Sequence, residues 1–314
     1  MCRFGEQMTG LNRRNLVLAA GGLASVPLLP RHAVAEVRAA TPVPNIPVRD
    51  EILISVSDLA DQLADPEPPL VIALTEPESF AAGHIAGARQ IDWPDLELGA
   101  TTPEAIAAWA TTTRAQLGAL GITPNTDVVI YDGGTLFAAR LWWVLDYFGH
   151  DTKRVLDGGL PAWQSAGQPV STASPESTPT PAPGDYPDNA DENRLATLGQ
   201  VTMALGNPAV AIVDARKPDE FAAGHIPGAV NINYPLNAAT EDPKTYRSGE
   251  ELTWLYADAG VTPDKLVIPY CSTGVRSSVT YLALRLVGFS NVALYSGSWN
   301  EWGSDPNTPK EQGA

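Results

Sequence analysis

A nine-residue segment that occurs twice constrains the fold of this 314-residue chain more than any other feature. FAAGHIAGA occupies 80–88, and FAAGHIPGA follows 141 residues later at 221–229. At a spacing of 139 residues, GITPNTDVVIYDGG (121–134) is aligned with GVTPDKLVIPYCST (260–273). Self-similarity at a nearly fixed spacing indicates a repeated structural unit. The sequence therefore predicts two homologous domains.

The predicted domains span 45–170 and 186–305, and a linker at 171–185 joins them. The linker sequence STASPESTPTPAPG is rich in Pro, Ser and Thr and has too few apolar residues to pack. The whole chain is 44% hydrophobic and 18% charged, which is typical of a globular protein.

The first 35 residues have the layout of an export signal. A basic pair, Arg13 and Arg14, precedes an apolar run at 16–29, and the small residues AVA end at Ala35. The apolar run is too short, and too rich in Gly and Pro, to predict a membrane-spanning helix. NRRNLVL around the basic pair resembles the twin-arginine export signal. We therefore expect export to the periplasm or the extracellular space.

The charge balance limits the partners of the chain. Twenty basic and 36 acidic residues give a formal net charge of −16, and loss of 1–35 would remove more basic than acidic residues. Such a surface argues against nucleic acid and anionic lipid as partners, so we expect neither nucleic acid nor membrane binding once the signal is removed. An anionic substrate would need a site that supplies its own positive charge.

The second predicted domain alternates β-rich and helical patterns. AIVDA (211–215), KLVIPY (265–270) and NVALYSG (291–297) predict buried strands. Between the last two, a helix is predicted by apolar residues at helical spacing, namely Val275, Val279, Leu282 and Leu286. This order predicts an α/β fold in which each domain has a mainly parallel sheet flanked by helices on both faces.

Cys271 lies where a predicted strand ends and a helix begins, in IPYCSTGVRSS (268–278). The only other cysteine, Cys2, lies in the predicted signal, so the mature chain can form no internal disulfide. Unpaired N–H groups converge at such a helix start, and Gly274 permits the backbone angles of a tight loop. These groups, the helix dipole and Arg276 favour a thiolate. We therefore predict that Cys271 is a solvent-accessible catalytic nucleophile.

Comparison of the repeats distinguishes Cys271 from a buried structural cysteine. Three features of an anion-handling site occur in the second repeat only, where Cys271 is aligned with Asp132, Arg276 with Phe137 and Arg216 with Thr75. His84 and His225, in contrast, occupy the same position in both repeats, so we predict a structural role for them.

These motifs, with LDGGLPAW (156–163) and YSGSWNEW (295–302), resemble the two-domain form of the rhodanese family of sulfurtransferases. The resemblance implies two tandem rhodanese-like domains, of which the first is inactive. It implies that Cys271 takes the outer sulfur of thiosulfate or 3-mercaptopyruvate and holds it as a persulfide. A thiophilic acceptor, such as cyanide, a small thiol or a thiol-containing protein, then receives the sulfur. No metal or organic cofactor is implied.

The resemblance also implies a set of substrate-binding residues, which are Arg216, Ser272, Thr273, Gly274, Val275 and Arg276. The loop N–H groups would cradle the persulfide anion, and Arg216 matches a family arginine associated with the donor's anionic group. A structural role is the open alternative for both arginines. The donor is open too, because neutral Ser272 and Thr273 resemble mercaptopyruvate enzymes, whereas Arg276 resembles single-domain thiosulfate enzymes.

Two other function classes fit the same features. Cysteine phosphatases also place a cysteine and an arginine around an anion-binding loop, but they have five residues between the two and this chain has four. A non-catalytic persulfide carrier or interaction module would use Cys271 without turnover. Turnover with thiosulfate and cyanide distinguishes the carrier from the enzyme.

Overall fold

The computed structural model describes residues 48–173 and 186–313. The predicted export signal and most of the predicted linker lie outside these residues. Among the helices of the described part, none is both long enough and apolar enough to cross a membrane.

The first repeat is a parallel five-stranded sheet with helices around it, in the strand order β1-β5-β4-β2-β3. Its strands are β1 Leu53–Ile54, β2 Leu70–Leu74, β3 Arg89–Ile91, β4 Val128–Tyr131 and β5 Lys153–Leu156. Its α-helices are α1 Val48–Ile52, α2 Val56–Gln62, α3 Pro77–Ala82, α4 Pro103–Ala119, α5 Ala138–Tyr147 and α6 Gly159–Ser165, and a 3₁₀ helix spans Trp93–Leu96. Strand β4 is buried along its whole length, as its unbroken apolar sequence VVIY requires of a central parallel strand.

The second repeat contains a parallel sheet of the order β7-β6-β8. Its strands are β6 Val210–Asp214, β7 Val230–Asn231 and β8 Leu266–Tyr270. Its α-helices are α7 Leu198–Ala204, α8 Pro218–Ala223, α9 Gly249–Asp258, α10 Val275–Leu286 and α11 Ser298–Ser304, and 3₁₀ helices span Glu192–Arg194 and Tyr234–Asn237. The predicted strands at 211–215 and 265–270 and the helix after Cys271 are confirmed. The predicted α/β class with mainly parallel sheets is confirmed as well.

The predicted strand at 291–297 is wrong as a continuous element. The segment lies parallel to β8, but it is joined to it only by an isolated bridge between Val267 and Val292. The N–H groups of Ala293 and Tyr295 donate to carbonyls of β8, at Val267 and Pro269. Pro269 has no N–H to donate in return, so the parallel ladder is interrupted there. In the first repeat the aligned residue is Ile130, and the corresponding segment forms the regular strand β5.

The two repeats share one hydrophobic core, built around the pair of helices α5 and α10. These helices occupy equivalent positions in the two repeats, since α5 follows β4 and α10 follows the aligned strand β8. The Trp142 and Tyr281 rings lie 6.3 Å apart across the contact, and the Tyr281 hydroxyl donates to Asp146 Oδ2 at 2.7 Å. This packing brings side chains of the first repeat towards the loop that contains Cys271.

Candidate active site

Cys271 follows β8 directly and precedes α10, as the sequence predicts. The expectation that its thiol is open to solvent is wrong, because the residue is only 1% exposed. Its sulfur is turned into the loop, where the Gly274 N–H donates to Sγ at 3.2 Å and the Ser277 hydroxyl donates at 3.6 Å. A donor must therefore displace part of the loop surface to reach the sulfur.

The start of helix α11 fixes the cysteine loop from behind. The Cys271 N–H donates to Ser298 Oγ at 3.1 Å, and the Trp299 N–H donates to the Cys271 carbonyl at 2.9 Å. Gly274 lies so close to this segment that a Cβ added there would be 2.9 Å from the Ser296 carbonyl oxygen. The YSGSWNEW motif thus acts as a support that holds the loop in one conformation.

The corresponding loop of the first repeat binds a carboxylate of its own. Asp132 Oδ1 accepts N–H bonds from Gly134, Thr135 and Leu136 at 2.7, 2.8 and 3.3 Å, and Oδ2 accepts one from Ala138 at 2.8 Å. Burial raises the pKa of Asp132, and the four N–H groups act in the opposite direction. Because the carboxyl group only accepts hydrogen bonds here, the loop serves as a cradle for an anion.

The four N–H donors around Asp132 are aligned with backbone groups of the second repeat. At the 139-residue spacing their counterparts are Thr273, Gly274, Val275 and Ser277. Of these, the Gly274 N–H is the one that bonds the Cys271 sulfur. The N–H groups of Thr273, Val275 and Ser277 do not bond Sγ.

Arg276 is a charged residue on the first turn of α10, next to the cysteine loop. Its guanidinium donates to both carboxylate oxygens of Glu220 at 2.7 and 2.8 Å and to Ser272 Oγ at 2.6 Å. This bidentate pair lowers the pKa of Glu220 to about 2. The pKa of Arg276 is raised, first by Glu220 and further by the neighbouring Cys271. Arg276 therefore lies beside the sulfur with its charge already matched.

Arg216 is buried, and its guanidinium is bonded to protein groups through Nε and Nη2. Its Nε and Nη2 donate to the Asp214 carboxylate at 2.6 to 3.0 Å, and Nη2 also donates to the Gly224 carbonyl at 2.7 Å. The guanidinium carbon lies 4.5 Å from the centre of the Trp299 ring. These contacts are those of a structural arginine, and the predicted contact of Arg216 with the donor stays a prediction.

The two repeated histidines make the same contacts in both repeats. Nδ1 of His84 bonds the Phe80 carbonyl oxygen at 2.9 Å, and Nδ1 of His225 bonds that of Phe221 at 2.9 Å. Each imidazole stacks on the ring of the same phenylalanine, at 4.0 and 3.7 Å. The predicted structural role is confirmed.

Sequence reasoning missed Asp214 and Glu220, the carboxylate partners of the two arginines. Comparison of the two repeats could have identified both. Glu220 is aligned with Ser79, and Asp214 with Ala73, so each carboxylate is present only where its arginine is. Extending the comparison to every charged position would have found both pairs.

Sequence reasoning also missed Arg140, which lies on α5 of the first repeat and is 0% exposed. Its Nη2 donates to the Leu96 carbonyl at 2.6 Å and to Ser296 Oγ at 3.2 Å. Burial lowers the pKa of Arg140 to about 10, and Cys271 and Glu97 oppose that shift. A single arginine within the apolar helix sequence AARLWWVL was the available signal.

Comparison with known proteins agrees with this architecture. The Rhodanese-like domain family matches residues 55–166 and 197–305. The thiosulfate sulfurtransferases of Pseudomonas aeruginosa and Azotobacter vinelandii are 36% and 34% identical to the chain over 269 residues, which is 83% of this chain and 97% of each relative. The crystal structure of YnjE superposes with a TM-score of 0.74 at 26% identity, covering 85% of this chain and 69% of that one. The chain belongs to the rhodanese family and is a sulfurtransferase with two rhodanese-like domains.

Proposed function

We propose that this sulfurtransferase moves the outer sulfur of thiosulfate to a thiophilic acceptor through a persulfide on Cys271. The thiosulfate assignment is supported by the names of the relatives from P. aeruginosa and A. vinelandii. The neutral side chains of Ser272 and Thr273 favour 3-mercaptopyruvate instead, so both donors belong in the test. The acceptor class is cyanide or a thiol, either small or on a protein.

The observation that carries the persulfide proposal is the carboxylate of Asp132 in the first cradle. Each carboxylate oxygen is two bonds from Cβ, whereas the sulfur of a cysteine is one bond from Cβ. The outer sulfur of a persulfide is also two bonds from Cβ. An outer sulfur on Cys271 would therefore extend towards the N–H groups aligned with those that bind Asp132. The loop suits an anion one atom longer than the thiolate.

The chemistry balances without an oxidant or a cofactor. The Cys271 thiolate attacks the outer sulfur of thiosulfate, the S–S bond of the donor breaks, and sulfite leaves with the bonding electron pair. The persulfide carries the negative charge that the thiolate carried. Cyanide or an acceptor thiolate then attacks the outer sulfur, and the Cys271 thiolate leaves. N–H donors fixed around the loop stabilise the negative sulfur at each stage.

Access to the sulfur goes through the charged surface formed by Arg276, Glu220 and Ser272. The Arg276 and Glu220 side chains are 19% and 31% exposed, so they are the part of the site in contact with solvent. A donor sulfonate can offer two of its three oxygens to the guanidinium fork, as the Glu220 carboxylate offers its two. We infer that the donor exchanges with Glu220 as the partner of Arg276 and so opens the path to Sγ.

The direct test is mass spectrometry of the folded protein after treatment with thiosulfate. We expect the peptide that contains Cys271 to gain the mass of one sulfur atom and to lose it when cyanide is added. Cys271→Ser removes the nucleophile and serves as the matched control. A gain that persists in this variant, or no gain in the wild-type protein, would overturn the proposal.

Steady-state kinetics resolves the remaining choices. The ratio of kcat/KM for thiosulfate to that for 3-mercaptopyruvate identifies the donor, and we expect it to favour thiosulfate. A protein that loads one sulfur but forms no thiocyanate with cyanide would be a persulfide carrier. The four residues between Cys271 and Arg276, and relatives named thiosulfate sulfurtransferase, count against the phosphatase alternative.

We also propose that the chain is exported, on the evidence of the basic pair Arg13 and Arg14, the apolar run at 16–29 and the small residues before position 36. Fractionation of cells that express the full chain should place the product outside the cytoplasm, with its new N-terminus near Glu36. Replacement of Arg13 and Arg14 by lysine tests the twin-arginine route. Retention of uncleaved wild-type chain in the cytoplasm would contradict export.

A further inference from the structure

The two cations that the sequence assigns to the site are each neutralised by a carboxylate. Arg276 is paired with Glu220, and Arg216 is paired with Asp214. The site therefore gains little net positive charge from either of them. A cation that is not paired with a carboxylate would add to the stabilisation that the N–H groups of the loop give a negative sulfur.

Arg140 is a third cation, contributed by the first repeat. Its Nε and Nη1 are buried and have no hydrogen-bond partner among the described residues, and no carboxylate of that part of the chain forms an ion pair with it. Its guanidinium carbon lies 4.6 Å from the centre of the Trp143 ring, which compensates part of the cost of burying the charge, and a nearby anion would compensate more of it. Cys271 and the half-buried Glu97 both oppose the lowering of the Arg140 pKa by burial.

A chain of contacts leads from Arg140 to the catalytic loop. Arg140 Nη2 donates to Ser296 Oγ, and the carbonyl and hydroxyl oxygens of Ser296 would each be 2.9 Å from a Cβ on Gly274. The Gly274 N–H in turn donates to Cys271 Sγ. Arg140 is therefore connected to the loop through Ser296, whereas the partly exposed Arg276 contacts it through Ser272.

The repeat supplies an internal comparison. At the 139-residue spacing, Arg140 on α5 is aligned with Val279 on α10. Both residues are 0% exposed on equivalent helices. An apolar side chain therefore packs well at this position, and packing alone does not require an arginine there. The cation occurs only on the helix that packs against the repeat containing the cysteine.

We propose that Arg140 is a positioning residue, contributed by the first repeat, that stabilises negative charge on the Cys271 sulfur of the second repeat. Stabilisation of the Cys271 thiolate by Arg140 does not depend on the proposed function, whereas stabilisation of a persulfide rests on it. The first repeat then has a definite role in the chemistry, because it supplies a buried cation that, unlike Arg216 and Arg276, is not ion-paired with a carboxylate of the described residues.

The test measures ionisation of Cys271 without any sulfur donor. Thiolate absorbance is recorded against pH for each protein, with the matching Cys271→Ser protein subtracted so that other groups cancel. Arg140→Gln removes the charge and keeps a donor for the Leu96 carbonyl, while Arg140→Lys keeps the charge. Lys153→Met is the matched control, because Lys153 is a partly buried cation of the same repeat that is paired with Asp146.

We expect the pH midpoint of Cys271 ionisation to rise by about one unit or more in Arg140→Gln, which corresponds to a roughly tenfold smaller thiolate fraction near neutral pH. Arg140→Lys should keep a midpoint closer to wild type, and Lys153→Met should leave it unchanged. A folded Arg140→Gln protein with the wild-type midpoint would overturn the proposal. So would an equal rise in Lys153→Met, since that would indicate a general effect of altered packing.

A second variant covers the case in which Arg140→Gln does not fold. Glu97 is half-buried and is the other anion acting on Arg140, so Glu97→Gln leaves Cys271 as the main counter-charge. We expect its midpoint to fall, and an unchanged midpoint would overturn the proposal. Because no sulfur transfer is measured, either result is separate from failure of the persulfide mechanism.

Discussion

Replacement of Gly274 by alanine tests whether the shape of the cysteine loop creates the nucleophile. Gly274 has a φ of +89°, which L-residues with a side chain rarely adopt. A Cβ at this position would lie 2.9 Å from the Ser296 carbonyl oxygen and 3.1 Å from its Cα. These are backbone atoms fixed by the segment before α11, so rotation of a side chain cannot relieve the contact. The loop must move instead.

Gly288→Ala provides the matched control for the size of the effect. Gly288 lies just after α10 with a φ of +84°, but nothing lies within 4 Å of a Cβ placed there. Gly288→Ala should therefore lower the unfolding free energy by about 1 to 2 kcal/mol, the cost of a positive φ alone. Gly274→Ala adds a contact of the overpacking kind, worth roughly 1 to 3 kcal/mol more. The difference between the two variants measures the contact with Ser296.

The functional effect should be larger than the effect on stability. A displacement of about 1 Å at a reacting group can cost on the order of a hundredfold in rate. We expect Gly274→Ala to load sulfur from thiosulfate about a hundredfold more slowly, while Gly288→Ala loads at the wild-type rate. Denaturant titration gives the stabilities, and time-resolved mass spectrometry gives the loading rates. Wild-type loading by a folded Gly274→Ala protein would refute the role of the loop.

Three further changes test the charged groups. Arg216→Ala should lower the unfolding free energy by about 3 to 5 kcal/mol in denaturant titration, because Asp214 is left buried without its partner; a raised KM for thiosulfate at unchanged stability would instead make Arg216 a donor-binding residue. The pKa of Glu220 is lowered from 4.5 to about 2, so its pair with Arg276 contributes stability above pH 4.5 and loses it as the pH falls towards 2. The difference in melting temperature between wild type and Glu220→Gln should shrink over that range, and a constant difference would contradict the pairing. Asp132→Asn should cost roughly 1 to 3 kcal/mol, because an amide cannot accept all four N–H bonds, with sulfur transfer retained; a folded but inactive variant would contradict the assignment of catalysis to the second repeat.

Apolar patterning predicted the central strands, because strands buried on both faces of a parallel sheet have continuous apolar sequences. Apolar residues at helical spacing predicted the helix after the cysteine. It failed at 291–297, where the deciding residue lies in a different strand. Pro269 removes one N–H from β8 and so interrupts the ladder of its neighbour. Local periodicity does not contain that information.

The site was predictable where the two repeats differ and unpredictable where it depends on tertiary packing. Aligning Cys271 with Asp132 identified the nucleophile. The burial of its sulfur follows from the turn of Sγ towards Gly274, which no sequence pattern reports. Arg140 was missed because it lies in the other repeat, and only the packing of α5 against α10 brings it near the cysteine.

The difference in charged residues between the two repeats also predicts how a cysteine would behave in the Asp132 loop of the first repeat. Asp132→Cys, in a Cys271→Ser background, presents a cysteine to the N–H groups of Gly134 and Thr135, beside a pocket lined by Thr135 and Phe137. If N–H groups were sufficient, this thiol would load sulfur as Cys271 does. We expect loading from thiosulfate at least about tenfold slower. Phe137 is aligned with Arg276, and Val279 is aligned with Arg140, so the first cradle has no counterpart of either arginine. Equal loading rates by mass spectrometry would show that the cradle alone creates the nucleophile and that the buried arginine has only a packing role.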